Sequence, residues 1–163
     1  EFYSIDGVTT NPSILAKSGR KPYEVLEEIR KLLGEDAELH VQVVSNKAED
    51  MVAEGKKIVE KLGKNTYVKI PTVPEGLKAM KKLSKEGYKI TATAIYTPIQ
   101  AYLAGKAGAD YTAPYVNRID NLGTNGIEVT RKIHDIFKNN LADKCLNSCG
   151  KRSVGGGNAA GSG

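Results

Sequence analysis

The chain has 163 residues, of which 40% are hydrophobic and 26% charged, enough for one domain with a sizeable core. No run approaches the ~20 apolar residues of a membrane span, and the opening residues lack a signal-peptide pattern, so no membrane role is expected. The net charge of +5 favours anionic partners, but most lysines fall in helical stretches such as Glu54 to Lys64 and Lys78 to Lys89, where they form solvated faces, and no aromatic-basic interleaving marks a nucleic-acid partner.

The organising pattern is alternation. Short β-branched runs occur at Gly7–Thr10, Leu39–Val44, Tyr67–Val73, Ile90–Tyr96 and Tyr111–Val116, separated by amphipathic segments at Pro22–Leu33, Ala48–Leu62, Glu75–Glu86, Pro98–Ala107 and Gly126–Phe137. In the second segment Met51, Val52, Ile58, Val59 and Leu62 fall near helical spacing, as do Leu77, Met80 and Leu83 in the third. Asn46 followed by Glu49 predicts a capping box. Thr97-Pro98 predicts an N-cap and first helical residue, and Gly63, Gly87 and Gly108 stand where left-handed helix stops belong. Apolar strands alternating with helices imply a parallel sheet covered by helices. Periodicity does not separate a barrel from an open doubly wound sheet.

After about Asn139 the character changes. Leu141 to Ser153 has no clear period, and 155–163 is glycine, alanine, serine and asparagine, a composition that cannot offset its chain entropy by burial. One domain over 1–140 followed by a disordered tail over 141–163 is the expectation. Cys145 and Cys149 are the only cysteines. They build no disulfide framework, which makes a cytoplasmic location the default. Without a second ligand pair, and with His134 in a helical stretch, they are weak evidence for zinc, so no metal is expected. Nor does any nucleotide fingerprint or P-loop call for an organic cofactor.

Several strands carry polar residues toward their C-terminal ends: Asn11, Gln42, Lys69, Thr91 and Thr93, then Tyr115, Asn117 and Arg118. Each alone has a bland reading. A strand lysine often protects a sheet edge from aggregation, a strand Gln or Thr is commonly a satisfied core group, and Arg118 near Asp120 is commonly a surface pair. Their coincidence at the edge where α/β sheets bind ligands supports the alternative. A buried lysine there has its charged form disfavoured, leaving an amine able to attack a carbonyl.

Gly-Val-Thr-Thr-Asn-Pro-Ser at 7–13, Val-Lys-Ile-Pro at 68–71 and Ala-Pro-Tyr-Val-Asn-Arg-Ile-Asp at 113–120, with Glu75-Gly76-Leu77 and Thr91-Ala-Thr-Ala-Ile-Tyr96 between, resemble strand motifs of the small transaldolase and fructose-6-phosphate aldolase family. The resemblance spans residues 5 to 139. It implies a TIM-type (β/α)8 barrel and carbon–carbon bond cleavage in a ketose phosphate through a lysine Schiff base, with no cofactor. Lys69 matches the Schiff-base lysine and Tyr115 the proton-moving tyrosine of the aldolase branch. Gln42 stands where transaldolases usually carry a glutamate and, with Thr93, would hold a catalytic water. Asn11 would orient substrate hydroxyls, and Arg118 would meet the phosphate with its planar fork. Since an amide is no general base, the resemblance favours fructose 6-phosphate cleavage to dihydroxyacetone and glyceraldehyde 3-phosphate over transfer of the dihydroxyacetone unit. A non-catalytic truncated paralogue or fragment is the competing class.

The departures are at both ends. Strand one with its helix, and strands seven and eight, look missing or degenerate, so the barrel is expected to be incomplete. Asp6 leads into the second family strand and is not assigned a catalytic role. Family members form homo-oligomeric rings of five or ten through C-terminal helices that have no counterpart here.

Overall fold

A computed structural model of the chain describes residues 5–140. The tail expected over 141–163, with Cys145 and Cys149, lies outside the described residues. Five strands, β1 (Gly7–Thr9), β2 (Glu38–Gln42), β3 (Thr66–Pro71), β4 (Ile90–Ile95) and β5 (Tyr111–Pro114), form one sheet in the order β1-β2-β3-β4-β5, every pair parallel. The helices are α1 (Pro12–Lys17), α2 (Pro22–Leu33), α3 (Ala48–Leu62), α4 (Pro74–Lys85), α5 (Pro98–Lys106), α6 (Val116–Asn121) and α7 (Gly126–Asn140). A doubly wound sheet reverses its strand order at a switch point. Here the order never reverses, so right-handed crossovers place the intervening helices on one face. The architecture is a curled parallel arc of barrel type.

The curl is visible in contacts that skip strands. On a flat sheet β2 and β5 would lie about 14 Å apart. Yet the Tyr111 hydroxyl on β5 donates to Glu38 Oε1 on β2 at 3.1 Å, and His40 Nδ1 on β2 lies 2.7 Å from Thr91 Oγ1 on β4. Period-two alternation then sorts side chains by face. Leu39, Val41, Val68, Ile70, Ile90 and Ala92 turn outward and join Met51, Ile58, Leu62, Met80 and Leu83 of α3 and α4 in the apolar core. Glu38, His40, Tyr67, Lys69 and Thr91 turn into the concave face.

The expected segments match the observed elements to within a few residues at their ends. Thr97 caps α5 in a reciprocal box with Gln100, and Gly63, Gly87 and Gly108 all take positive φ. The capping box at Asn46 and Glu49 does not form. The N-cap of α3 is Lys47, without a side-chain bond, and the orphan amide of Ala48 donates to Glu75 Oε2 at 3.0 Å. A carboxylate from the neighbouring helix meets the need that the local pattern was expected to meet. The six-residue helices α1 and α6 were not expected. Among the described residues no helix is long and apolar enough to cross a membrane.

Gly76 fixes how α4 leaves β3. A Cβ there would fall on the carbonyl oxygen of Pro71, backbone that cannot step aside. Gly76→Ala is expected to destabilise the protein by about 3 kcal/mol, measurable as a lowered urea midpoint. An unchanged midpoint would show that α4 shifts freely at its start.

Candidate active site

Lys69 lies mid-strand in β3, between β2 and β4, which rules out the edge-strand reading of this lysine. Only 7% of the residue is exposed. Its Nζ donates to Thr9 Oγ1 at 2.9 Å and to the Thr10 carbonyl at 2.8 Å, so the amine is drawn across β2 toward the end of β1. The Thr10 backbone and hydroxyl both donate to the His40 carbonyl at 2.9 Å, holding the accepting carbonyl in place. Burial, with no carboxylate partner among the described residues, pushes the Lys69 ammonium down to about 8.

The other expected residues lie at or just beyond the C-terminal ends of the strands. Gln42 on β2 is the register partner of Lys69. Thr93 on β4, 3% exposed, pairs with Pro71 two residues beyond the lysine, and its carbonyl accepts from the Thr72 amide at 2.8 Å. Asn11 follows β1 and is half-buried. Its Oδ1 accepts from the Ile14 amide at 2.9 Å and caps α1, so one end of the amide is committed to the fold.

Tyr115 was expected inside the fifth strand. It lies instead just past β5, as the N-cap residue of α6. Tyr96 meets it edge-to-face at 5.4 Å, and the Arg118 guanidinium lies over its ring at 4.6 Å. Arg118, exposed at the mouth, is held by Tyr115 and the Tyr96 hydroxyl rather than by Asp120, whose Oδ1 instead accepts from the Gly126 amide at 2.7 Å.

A bulge in β4 makes the Tyr96–Tyr115 contact. Ala94 has φ of 57°, uncommon for a residue with a Cβ. The register slips there, three steps of β4 from Ala92 to Ile95 matching two of β5 from Thr112 to Pro114. The extra residue returns Ile95 to the apolar core, where it is fully buried, and turns Tyr96 to the concave side. Bulges of this kind re-aim side chains next to functional sites.

Sequence reasoning passed over Thr9 and Thr10 as amine partners. Their signal was their place in the Val-Thr-Thr-Asn strand end, where only Asn11 was singled out.

A curled parallel β/α arc with a buried lysine at the C-terminal ends of its strands defines a lysine-centred barrel site. The family model for transaldolase/fructose-6-phosphate aldolase matches residues 1–150, and the chain belongs to that family. A probable transaldolase from Caldicellulosiruptor saccharolyticus is 48% identical over 85% of this chain and 64% of its own length. One from Clostridium botulinum (strain Langeland) is 47% identical over 85% and 62%, and one from Geobacter sp. (strain M21) 45% identical over 85% and 64%. The chain thus spans under two thirds of the length of these curated relatives. Among solved structures, thiamine phosphate pyrophosphorylase from Pyrococcus furiosus aligns with 78% of this chain and 68% of its own at 15% identity and a TM-score of 0.39, too low a likeness to carry an argument.

Holding an amine at about 8 instead of its usual value costs the folded state on the order of 3 kcal/mol at neutral pH. The folded-state value is depressed, so between about 8 and the ordinary lysine value the unfolded chain binds the extra proton, and stability rises with pH. Lys69→Met is therefore expected to raise stability at pH 7 by about 1 to 3 kcal/mol. Its advantage over wild type should shrink from pH 8 to pH 10, read by denaturant titration. A variant less stable than wild type at pH 7 would contradict the buried-amine assignment.

Proposed function

We propose that the chain carries the site of a Schiff-base aldolase acting on ketose phosphates. The observation that carries this reading is the Lys69 amine, buried on a central strand, bonded to no carboxylate among the described residues and oriented by two oxygen acceptors. Free amine is then present near neutral pH, as carbonyl attack requires.

In the proposed reaction Lys69 Nζ adds to C2 of fructose 6-phosphate and water leaves, giving an iminium. A proton is taken from the C4 hydroxyl, the C3–C4 bond breaks, and its electron pair runs to the iminium nitrogen to give an enamine. Glyceraldehyde 3-phosphate departs. Protonation of the enamine at carbon and hydrolysis of the iminium release dihydroxyacetone and restore the amine. Tyr115 moves the proton, through a water held by Gln42 and Thr93, because the Gln42 amide cannot. Asn11, with the amide end that does not cap α1, orients substrate hydroxyls. Arg118 at the mouth meets the phosphate with paired N–H donors.

The second reading is transaldolase activity, in which the enamine attacks an aldose phosphate instead of being protonated. The relatives named probable transaldolase favour it, whereas Gln42 together with Tyr115 favours cleavage. Assembly into rings rests on the family alone, and a cytoplasmic setting on the cysteine usage.

Borohydride with dihydroxyacetone is expected to leave a covalent adduct on Lys69, detected by intact mass and absent from Lys69→Met. A folded protein without an adduct would favour a non-catalytic chain. Tyr115→Phe should keep the adduct and lose roughly 10²-fold or more in cleavage of fructose 6-phosphate. Undiminished cleavage would remove Tyr115 from its role, and transfer to an aldose phosphate outrunning cleavage in wild type would favour the transaldolase.

A further inference from the structure

The rim of the sheet carries one aromatic side chain that the proposed chemistry leaves unused. Tyr96 directly follows β4 and is half-buried. Its ring meets that of Tyr115 edge-to-face, with centroids 5.4 Å apart and planes inclined by 62°, an arrangement that aromatic pairs favour. The Arg118 guanidinium lies over the Tyr115 ring at 4.6 Å and also donates to the Tyr96 hydroxyl. One side chain from the end of β4 and two from the start of α6 thus meet at the mouth of the site.

The backbones beneath the two rings are fixed. The Tyr115 amide donates to the Ile95 carbonyl at 3.0 Å, and the Tyr115 carbonyl accepts from the Ile119 amide at 2.9 Å. The Tyr96 amide donates to Gln100 Oε1 at 2.9 Å, so the capping box of α5 also anchors Tyr96. The Tyr115 side chain leaves this frame for the mouth, where Tyr96 and Arg118 meet its ring. Arg118 is exposed and ends a long, flexible side chain. An incoming phosphate would draw its guanidinium away from the ring. Tyr96, short and anchored, is the contact that persists.

The backbone of β4 points the same way. Ala94 takes a φ of 57°, a left-handed conformation that a residue with a Cβ seldom adopts. That conformation accompanies the register slip between Ala92 and Ile95. Without the slip, alternation along β4 would send Tyr96 outward toward the helices. Strain held at a non-glycine position beside a site is grounds for asking what it places, and here it places Tyr96 against Tyr115.

We infer that Tyr96 is a positioning residue for Tyr115: its anchored ring braces the Tyr115 phenol in the orientation from which the proton moves, while Arg118 turns to the phosphate. The inference rests on the roles proposed for Tyr115 and Arg118. Tyr96 itself gains and loses no proton. The C4 hydroxyl proton still passes to Tyr115 through the water, and the C3–C4 electron pair still runs to the iminium nitrogen.

The test measures kcat and KM for fructose 6-phosphate cleavage by the full chain, together with the borohydride-trapped dihydroxyacetone adduct. It compares wild type, Tyr96→Leu, Tyr96→Phe, Tyr115→Phe and the double variant Tyr96→Leu with Tyr115→Phe. A phenol displaced by about 1 Å is poorly placed for proton transfer, so Tyr96→Leu is expected to lose roughly tenfold in kcat. Its adduct should form as in wild type, because the contacts of Lys69 are untouched. Tyr96→Phe keeps the ring edge and should retain kcat within about twofold, any change at Arg118 remaining in KM. In the Tyr115→Phe background, Tyr96→Leu should cost no more than about twofold, since the brace then has no phenol to serve. A Tyr96→Leu kcat within about twofold of wild type, a tenfold loss in Tyr96→Phe, or losses that multiply in the double variant each overturn the inference. Should Tyr96→Leu fail to fold, Tyr96→Met, which fills the space without a ring, is read by the same criteria. Wild type without adduct or cleavage, or undiminished cleavage in Tyr115→Phe, overturns the roles on which the inference rests, and the inference with them.

Discussion

The site is organised around one amine kept out of water. Lys69 Nζ lies beneath the C-terminal rim of a curled sheet, bonded to Thr9 Oγ1 and the Thr10 carbonyl, with no carboxylate among the described residues to balance its charge. Such a group is tolerated only where the backbone around it cannot relax. The parallel registers of β1 with β2 and of β2 with β3 supply that stiffness. So does the apolar layer behind them, in which Val68 and Ile70, the strand neighbours of Lys69, are fully buried. Loosen the sheet and water would reach the amine, and the burial that lowers its hold on a proton would be lost.

Curvature divides the sheet into two chemistries. The convex side is aliphatic and locks the helices, down to Gly76 pressed on the Pro71 carbonyl. The concave side is polar in two storeys. The lower joins Glu38, His40, Tyr67, Thr91 and Tyr111 by hydrogen bonds and ring contacts. The upper carries Lys69, with Gln42 as its register partner on β2 and Thr93 farther along β4. Buried polar groups of this density persist only when they satisfy one another, and the lower storey does so almost entirely with side chains from four different strands.

That difference explains what the sequence made legible. The elements could be found because each has its own local signal: the Met51–Leu62 periodicity, the Thr97-Pro98 start of α5, the glycine stops. The candidate site residues could be singled out because strand order brings one end of every strand to a common rim. The lower storey escaped notice because Glu38, His40, Tyr67 and Tyr111 become neighbours only through register and curl, which no local window contains. The box expected at Asn46 failed for a related reason, since the competing partner, Glu75, lies on another helix. Helices α1 and α6 are too short to show a period.

The bulge at Ala94 gives β4 a property resembling a reading frame. Before it, odd-numbered positions such as Thr91 and Thr93 enter the concavity; after it, the even-numbered Tyr96 does. Thr-Ala-Thr-Ala shows a regular alternation with no glycine to mark the slip, so the frame changes silently. Straightening the strand there without removing a residue would leave composition and hydropathy untouched. It would nonetheless exchange Ile95 for Tyr96 on the concave side, setting an aliphatic side chain against Tyr115. Side chains along β4 are therefore freer to vary than the slip that sets their faces.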